Sequence, residues 1–181
     1  MKKKYSQIGR SMIEMLGVLA IVGVISVGGF NIISKAMLSH QYTQAMSDAA
    51  QLADDGRRLV CQYHEDSGYH DIAYGVFLYK SGKYPSSLNF NKTNSVYEGI
   101  LDINYEVITI DETGAFKIIV SNVPQELCIR LAIHDWGTVR SSGLSAIKAG
   151  STSAASFTPD TAATACSASS NTVELSFKGC Q

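Results

Sequence analysis

The residues best equipped for chemistry are one acid, four cysteines and two groups of histidine with carboxylate. Glu14 stands at the edge of a stretch, residues 15–34, that holds no charged side chain. A lone carboxylate in a membrane-type helix costs about 2.5 to 3.5 kcal/mol at the bilayer centre, so it needs an interfacial position or a partner. Cys61, Cys128, Cys166 and Cys180 are widely spaced with no C-x-x-C pair. Beyond a membrane segment, that pattern points to disulfides in an oxidising compartment rather than to a zinc site. Four cysteines allow three pairings, among which spacing alone does not choose.

His64, Glu65, Asp66, His70 and Asp71 are ligand types that a divalent ion takes. They lie in a polar, turn-rich stretch where solvated side chains are the ordinary outcome, so no metal site is expected. His134 and Asp135 could be read as a base with its orienting acid, but adjacent residues rarely point at each other and no G-x-S-x-G elbow accompanies them. A turn around a packed Trp136 is the simpler expectation. Neither a G-K-[ST] phosphate loop nor a G-x-G-x-x-G fingerprint is present, so no enzyme and no cofactor are expected. The formal charge is -1, and loss of Lys2, Lys3 and Lys4 would take it to -4, which gives no support for specific nucleic-acid binding.

The elements that position these groups begin with the apolar run. About 20 apolar residues as a helix suffice to cross a bilayer, so a span at about residues 15–34 is expected. Basic residues precede the run and Asp48, Asp54 and Asp55 follow it, which keeps the N-terminus cytoplasmic and the remainder outside. From there the pattern becomes one-sided. Leu38, Tyr42, Ala45, Ala49, Leu52, Gly56, Leu59 and Tyr63 recur at steps of three and four, with Gln41, Gln44, Asp48, Gln51, Asp54, Asp55 and Arg58 between them. This predicts an amphipathic continuation covering a globular body. No proline falls between Ser11 and Tyr63, so one helix of about 50 residues is expected. Gly17, Gly23, Gly28 and Gly29 loosen its front half or allow close helix packing.

Residues 63–97 are rich in turns and tyrosine, with a short helix expected at 72–79. Residues 104–110 (NYEVITI) and 115–121 (AFKIIVS) predict an antiparallel pair joined through Asp111, Glu112, Thr113 and Gly114. Pro124 opens a short helix carrying Leu127, Ile129 and Leu131. Another strand is expected at 144–149. Residues 150–171, mostly Ser, Thr and Ala, read as a loop. Residues 172–178 alternate cleanly and predict a half-buried strand. The fold class is therefore α+β: a long N-terminal α-helix, hydrophobic in front and amphipathic behind, packed on an antiparallel sheet. The expected division is a long helix ending at 63 and a cysteine-tethered head at 64–181.

The basic start, Gly9, and Glu14 five places after it leading into a Leu/Val/Ile/Gly helix together resemble the N-terminus of a type IV prepilin. The resemblance implies that a prepilin peptidase cuts between Gly9 and Arg10, which makes 1–9 a leader and 10–63 the helix, and methylates the new amine, although Arg10 stands where an aromatic or methionine is usual. It implies that Glu14 meets the N-terminus of a neighbouring copy during assembly, and that inner-membrane assembly machinery builds the homopolymer. Because pilins commonly tie the C-terminal region back to the body by a disulfide, it implies pairing of Cys128 with Cys166 and then of Cys61 with Cys180. The function implied is a pilus subunit, held in the bacterial inner membrane as a precursor and extracellular once assembled, serving adhesion, motility or DNA transfer. Three other readings fit parts of the sequence: a type II secretion pseudopilin, a membrane-tethered binding domain, and a secreted chain cut at Ser34, Lys35 and Ala36.

Overall fold

The computed structural model describes residues 8–63, 74–109, 115–136 and 143–178, without the side chains of 8–11, 25–31, 60–63 and 109. They form two compact units, one ending at Gln41 and the other starting at Tyr42. The helix α1 (Ile8–Tyr63) runs through both. It meets the expectation of an unbroken, proline-free helix.

In the first unit the side chains of Met12 to Val24 are exposed throughout. In the second, Tyr42, Ala45, Ala49, Leu52, Gly56 and Leu59 are buried, as the three-and-four spacing predicts. Leu38, placed in that stripe, is exposed. Asp48, placed on the solvent face, is buried, because hydrogen bonds described below replace its water.

After α1 come α2 (Tyr74–Ser81), β1 (Asn89–Asn91), β2 (Val96–Glu98), β3 (Asn104–Thr109), β4 (Phe116–Val123) and α3 (Gln125–Ile133). Then follow β5 (Leu144–Ala149), β6 (Thr152–Ala154), α4 (Pro159–Ala165) and β7 (Asn171–Phe177). The strands form one sheet in the order β1-β2-β3-β4-β7-β5-β6, with every neighbouring pair antiparallel. The last long strand thus inserts between β4 and β5 and joins the two halves of the sheet.

Alternation sets the two faces. Phe116, Ile118 and Val120 of β4, Val173, Leu175 and Phe177 of β7, and Tyr105 and Val107 of β3 point into the core. Lys117, Glu174 and Lys148 lie on the other side. Strand β4 carries a register shift between Val120 and Val123, where Asn122 adopts a φ of 60°. Asparagine tolerates that left-handed backbone better than most residues. Its Nδ2 donates to the Asp102 carbonyl at 3.2 Å, linking the bulge to the left-handed turn at Leu101 and Asp102.

The hairpin pair, the helix behind Pro124, the strand at 144–149 and the terminal strand are all present. The turn expected at 111–114 lies outside the described residues, as does the start of the helix expected at 72–79, which is seen as α2. Residues 150–171 depart from the loop reading, since they hold β6 and α4. Thr158 caps α4: its Oγ1 accepts from Thr161 N, while Thr161 Oγ1 accepts from Thr158 N, and Pro159 begins the helix. Alanine is the best helix former, so a Ser/Thr/Ala composition is no barrier once the end is capped.

Candidate functional site

Two features stand out among the described residues, a surface left uncovered and a joint that keeps the head rigid. The surface is the front of α1. The large apolar side chains from Met12 to Val24 are each between 52 and 76 % exposed, and they face every direction around the helix. Exposed apolar area of this extent marks an interaction site, since removal from water is worth about 25 cal/mol per Å². Gly17 and Gly23 have nothing within 4 Å of where a β-carbon would stand, so their small size serves no contact among the described residues. Glu14 is an exposed acid on this otherwise apolar surface.

Among the described residues no helix is long and apolar enough to cross a membrane. The span expected at about residues 15–34 is not supported by them: the side chains of 25–31 fall outside, and the apolar stretch that remains is shorter than the ~20 residues a crossing needs. The residues of the expected cut, Gly9 and Arg10, are helical, and their side chains lie outside the described set.

The second feature is the joint between α1 and the rest of its unit. The Asp48 carboxylate, 2 % exposed, accepts from Ser87 Oγ at 2.6 Å and from Gln44 Nε2 at 3.0 Å, both at Oδ1. Its Oδ2 is buried with no hydrogen-bond partner. The Tyr105 hydroxyl donates to the Ala45 carbonyl at 3.1 Å, one turn before Asp48. Burial pushes the Tyr105 hydroxyl well above its ordinary pKa, and the nearby Asp48 charge adds to the shift. Further along, the Phe116 ring fills the space over Gly56. The Arg130 guanidinium of α3 lies 5.5 Å from the Tyr42 ring centre. Neither Asp48 nor Ser87 stands out in the sequence; the one available signal was an acid adjacent to Ala49 within the apolar stripe.

Cys128 and Cys166 are joined, as the resemblance implies. The bond fastens α3 to the end of α4 and so holds the Ser/Thr/Ala segment to the body. Cys61 lies in α1, but its side chain and the whole of Cys180 fall outside the described residues.

On the outer face of the sheet Glu174 accepts from Lys148 at 2.7 Å and from Lys117 at 3.0 Å, bridging three adjacent strands. The hydrogen bond from Lys148, with help from Lys117, holds the Glu174 carboxyl below its usual pKa although partial burial opposes the shift.

His134 and Asp135 fall in the turn after α3. Both are exposed, the His134 ring meets Trp136 edge-on, and Trp136 Nε1 donates to the Leu131 carbonyl at 3.0 Å. This is the turn after α3 that the sequence suggested. Among the described residues no group of three or more His, Cys, Asp or Glu could hold a metal ion. The cluster from His64 to Asp71 lies outside them.

The chain aligns with the crystal structure of a type IVb pilin from Salmonella typhi at a TM-score of 0.56 and 16 % identity, covering 74 % of this chain and 97 % of that one. No curated protein matches it. The sequence model of the family described as "PilS N terminal" matches residues 40–178, which takes in the back of α1 and the whole sheet. The chain belongs to the PilS N-terminal family, and its α+β architecture is that of a type IV pilin.

Proposed function

We propose that the chain is the structural subunit of a type IV pilus and polymerises through the front of α1 into an extracellular filament. The observation that carries this reading is the exposed stretch from Met12 to Val24, apolar except for Glu14, in a chain whose second unit is well packed. A helix apolar on every side is stable only when buried, and copies of itself in a bundle provide that cover. Before assembly the same helix rests in the bacterial inner membrane, a reading supported by the absence of charge over residues 15–34.

A prepilin peptidase cuts between Gly9 and Arg10, and inner-membrane assembly machinery extracts the subunit. Glu14 then meets the new amine of a neighbour, and pairing two otherwise costly charges fixes the axial offset between subunits. The second pair of cysteines, Cys61 and Cys180, forms a disulfide that anchors the C-terminus near the end of α1. The filament serves adhesion, motility or DNA transfer, and the role of the chain is structural rather than catalytic.

Electron microscopy of sheared surface material, labelled for this chain, tests the proposal. Labelled fibres are the expected result. The chain remaining in the cell envelope as single copies, with the assembly genes present, would refute it.

A further inference from the structure

Asn91, Lys92 and Thr93 spell N-x-T with a residue other than proline in the middle, and no other asparagine of the chain has serine or threonine two places on. This is the pattern at which a sugar is joined to an asparagine amide on the surface of an exported protein. Chance also produces such tripeptides, so the surrounding geometry decides.

Asn91 ends β1 opposite Val96 of β2, and residues 92–95 make the turn between them. Lys92, Thr93 and Asn94 are exposed, which leaves room for a bulky group beside the half-buried Asn91. The Asn91 side chain is held in one orientation. Its Oδ1 accepts from the Thr93 backbone N–H at 3.0 Å, the local turn that asparagine favours, and this folds Thr93 back toward the amide. Its Nδ2 donates to Glu98 Oε1 at 2.7 Å, a charge-assisted bond that draws on the amide hydrogen. A carboxamide carries two N–H groups. One can therefore be exchanged for a sugar while the other donates to Glu98 and Oδ1 continues to accept from Thr93. Among the described residues the Thr93 hydroxyl has no hydrogen-bond partner, so the fold does not account for it.

We propose that Asn91 carries an N-linked sugar, transferred from a polyprenyl diphosphate donor on the outer side of the inner membrane. In the transfer, Asn91 Nδ2 bonds to the anomeric carbon as the bond from that carbon to the diphosphate oxygen breaks. The lipid diphosphate leaves with the electron pair, and one amide proton passes to a base of the transferase. The proposal rests on the reading above only in placing the head outside that membrane, and not on filament growth.

The test is mass spectrometry of the peptide spanning Asn91 in the full chain, taken from sheared surface material and from envelope membranes of the cells that make it. A sugar on Asn91 is expected in both fractions, and an amidase that cleaves the sugar–asparagine link should leave an aspartate at that position. Asn91→Gln should abolish the modification. Thr93→Val should abolish it too while the melting temperature holds, since only an unpartnered, exposed hydroxyl is lost. Asn94→Gln, in the same turn, should keep the sugar. Bare Asn91 in both fractions, or a sugar retained in Thr93→Val, would overturn the proposal. Bare Asn91 in labelled fibres would do so with the filament reading intact, whereas a sugar on a chain that never enters fibres would support this proposal and count against that reading.

Discussion

The ring of Phe116 lies 2.9 Å from the point a β-carbon on Gly56 would occupy. The back of α1 therefore approaches the middle of the sheet as closely as a helix without a side chain allows. Phe116 cannot easily retreat, because it stacks on Phe177 at 5.0 Å and on Tyr74 at 5.8 Å.

Overpacking usually costs about 1–3 kcal/mol. Alanine returns about 1 kcal/mol in a helix interior, so Gly56→Ala should destabilise the head by up to about 2 kcal/mol. Urea unfolding of the two proteins measures the difference. A stabilised Gly56→Ala variant would show that the contact relaxes without cost.

Ser87→Ala removes the shorter of two hydrogen bonds to a buried carboxylate. Bonds to charged groups contribute about 1.5–3 kcal/mol, and the loss should appear as a lower denaturant midpoint with an unchanged slope. Asp48→Asn, which keeps an acceptor for Ser87, should cost less than Asp48→Ala. The reverse order would mean that the joint does not depend on the Ser87 bond.

Cys128 and Cys166 are separated by 38 residues. In the chain-entropy model, closing a loop of that size restricts the unfolded state by about 4 kcal/mol. Replacing both cysteines by alanine should lower the melting temperature and expose the segment between α3 and α4 to proteases first. A variant as stable and as resistant as the native chain would contradict the tether.

Glu174 makes part of the head's stability depend on pH. Its folded pKa lies below the ordinary value of 4.5, so its contribution is complete above that value and is lost as pH falls through the depressed one. Stability measured from pH 6 downward should fall less steeply in Glu174→Gln than in the native chain. Superimposable profiles would show that the Lys117–Glu174–Lys148 bridge carries no net stabilisation.

How much of this was legible follows from what each signal depends on. The long helix, strands β3, β4, β5 and β7 and the helix α3 declare themselves because each presents a one-sided or alternating pattern over six residues or more. Strands β1, β2 and β6, with three residues each, are too short to show a period. They exist because longer neighbours offer them an edge. Helix α4 was hidden by composition: its signal lies in the Thr158, Pro159 and Thr161 cap rather than in an apolar stripe. Asp48 was misplaced for a similar reason. Its burial depends on Ser87, 39 residues away, and no local pattern carries that information. Of the candidate functional residues, the pairing of Cys128 with Cys166 followed from the resemblance to pilins, because spacing alone leaves three pairings open.

The account turns on whether the front of α1 is buried among copies of itself. A photo-activated cross-linking residue placed at Leu19, in cells expressing the assembly machinery, reads this directly. Irradiated fibres should yield a ladder of self-linked multimers of this chain. Multimers absent from fibres that still contain the chain would contradict the account.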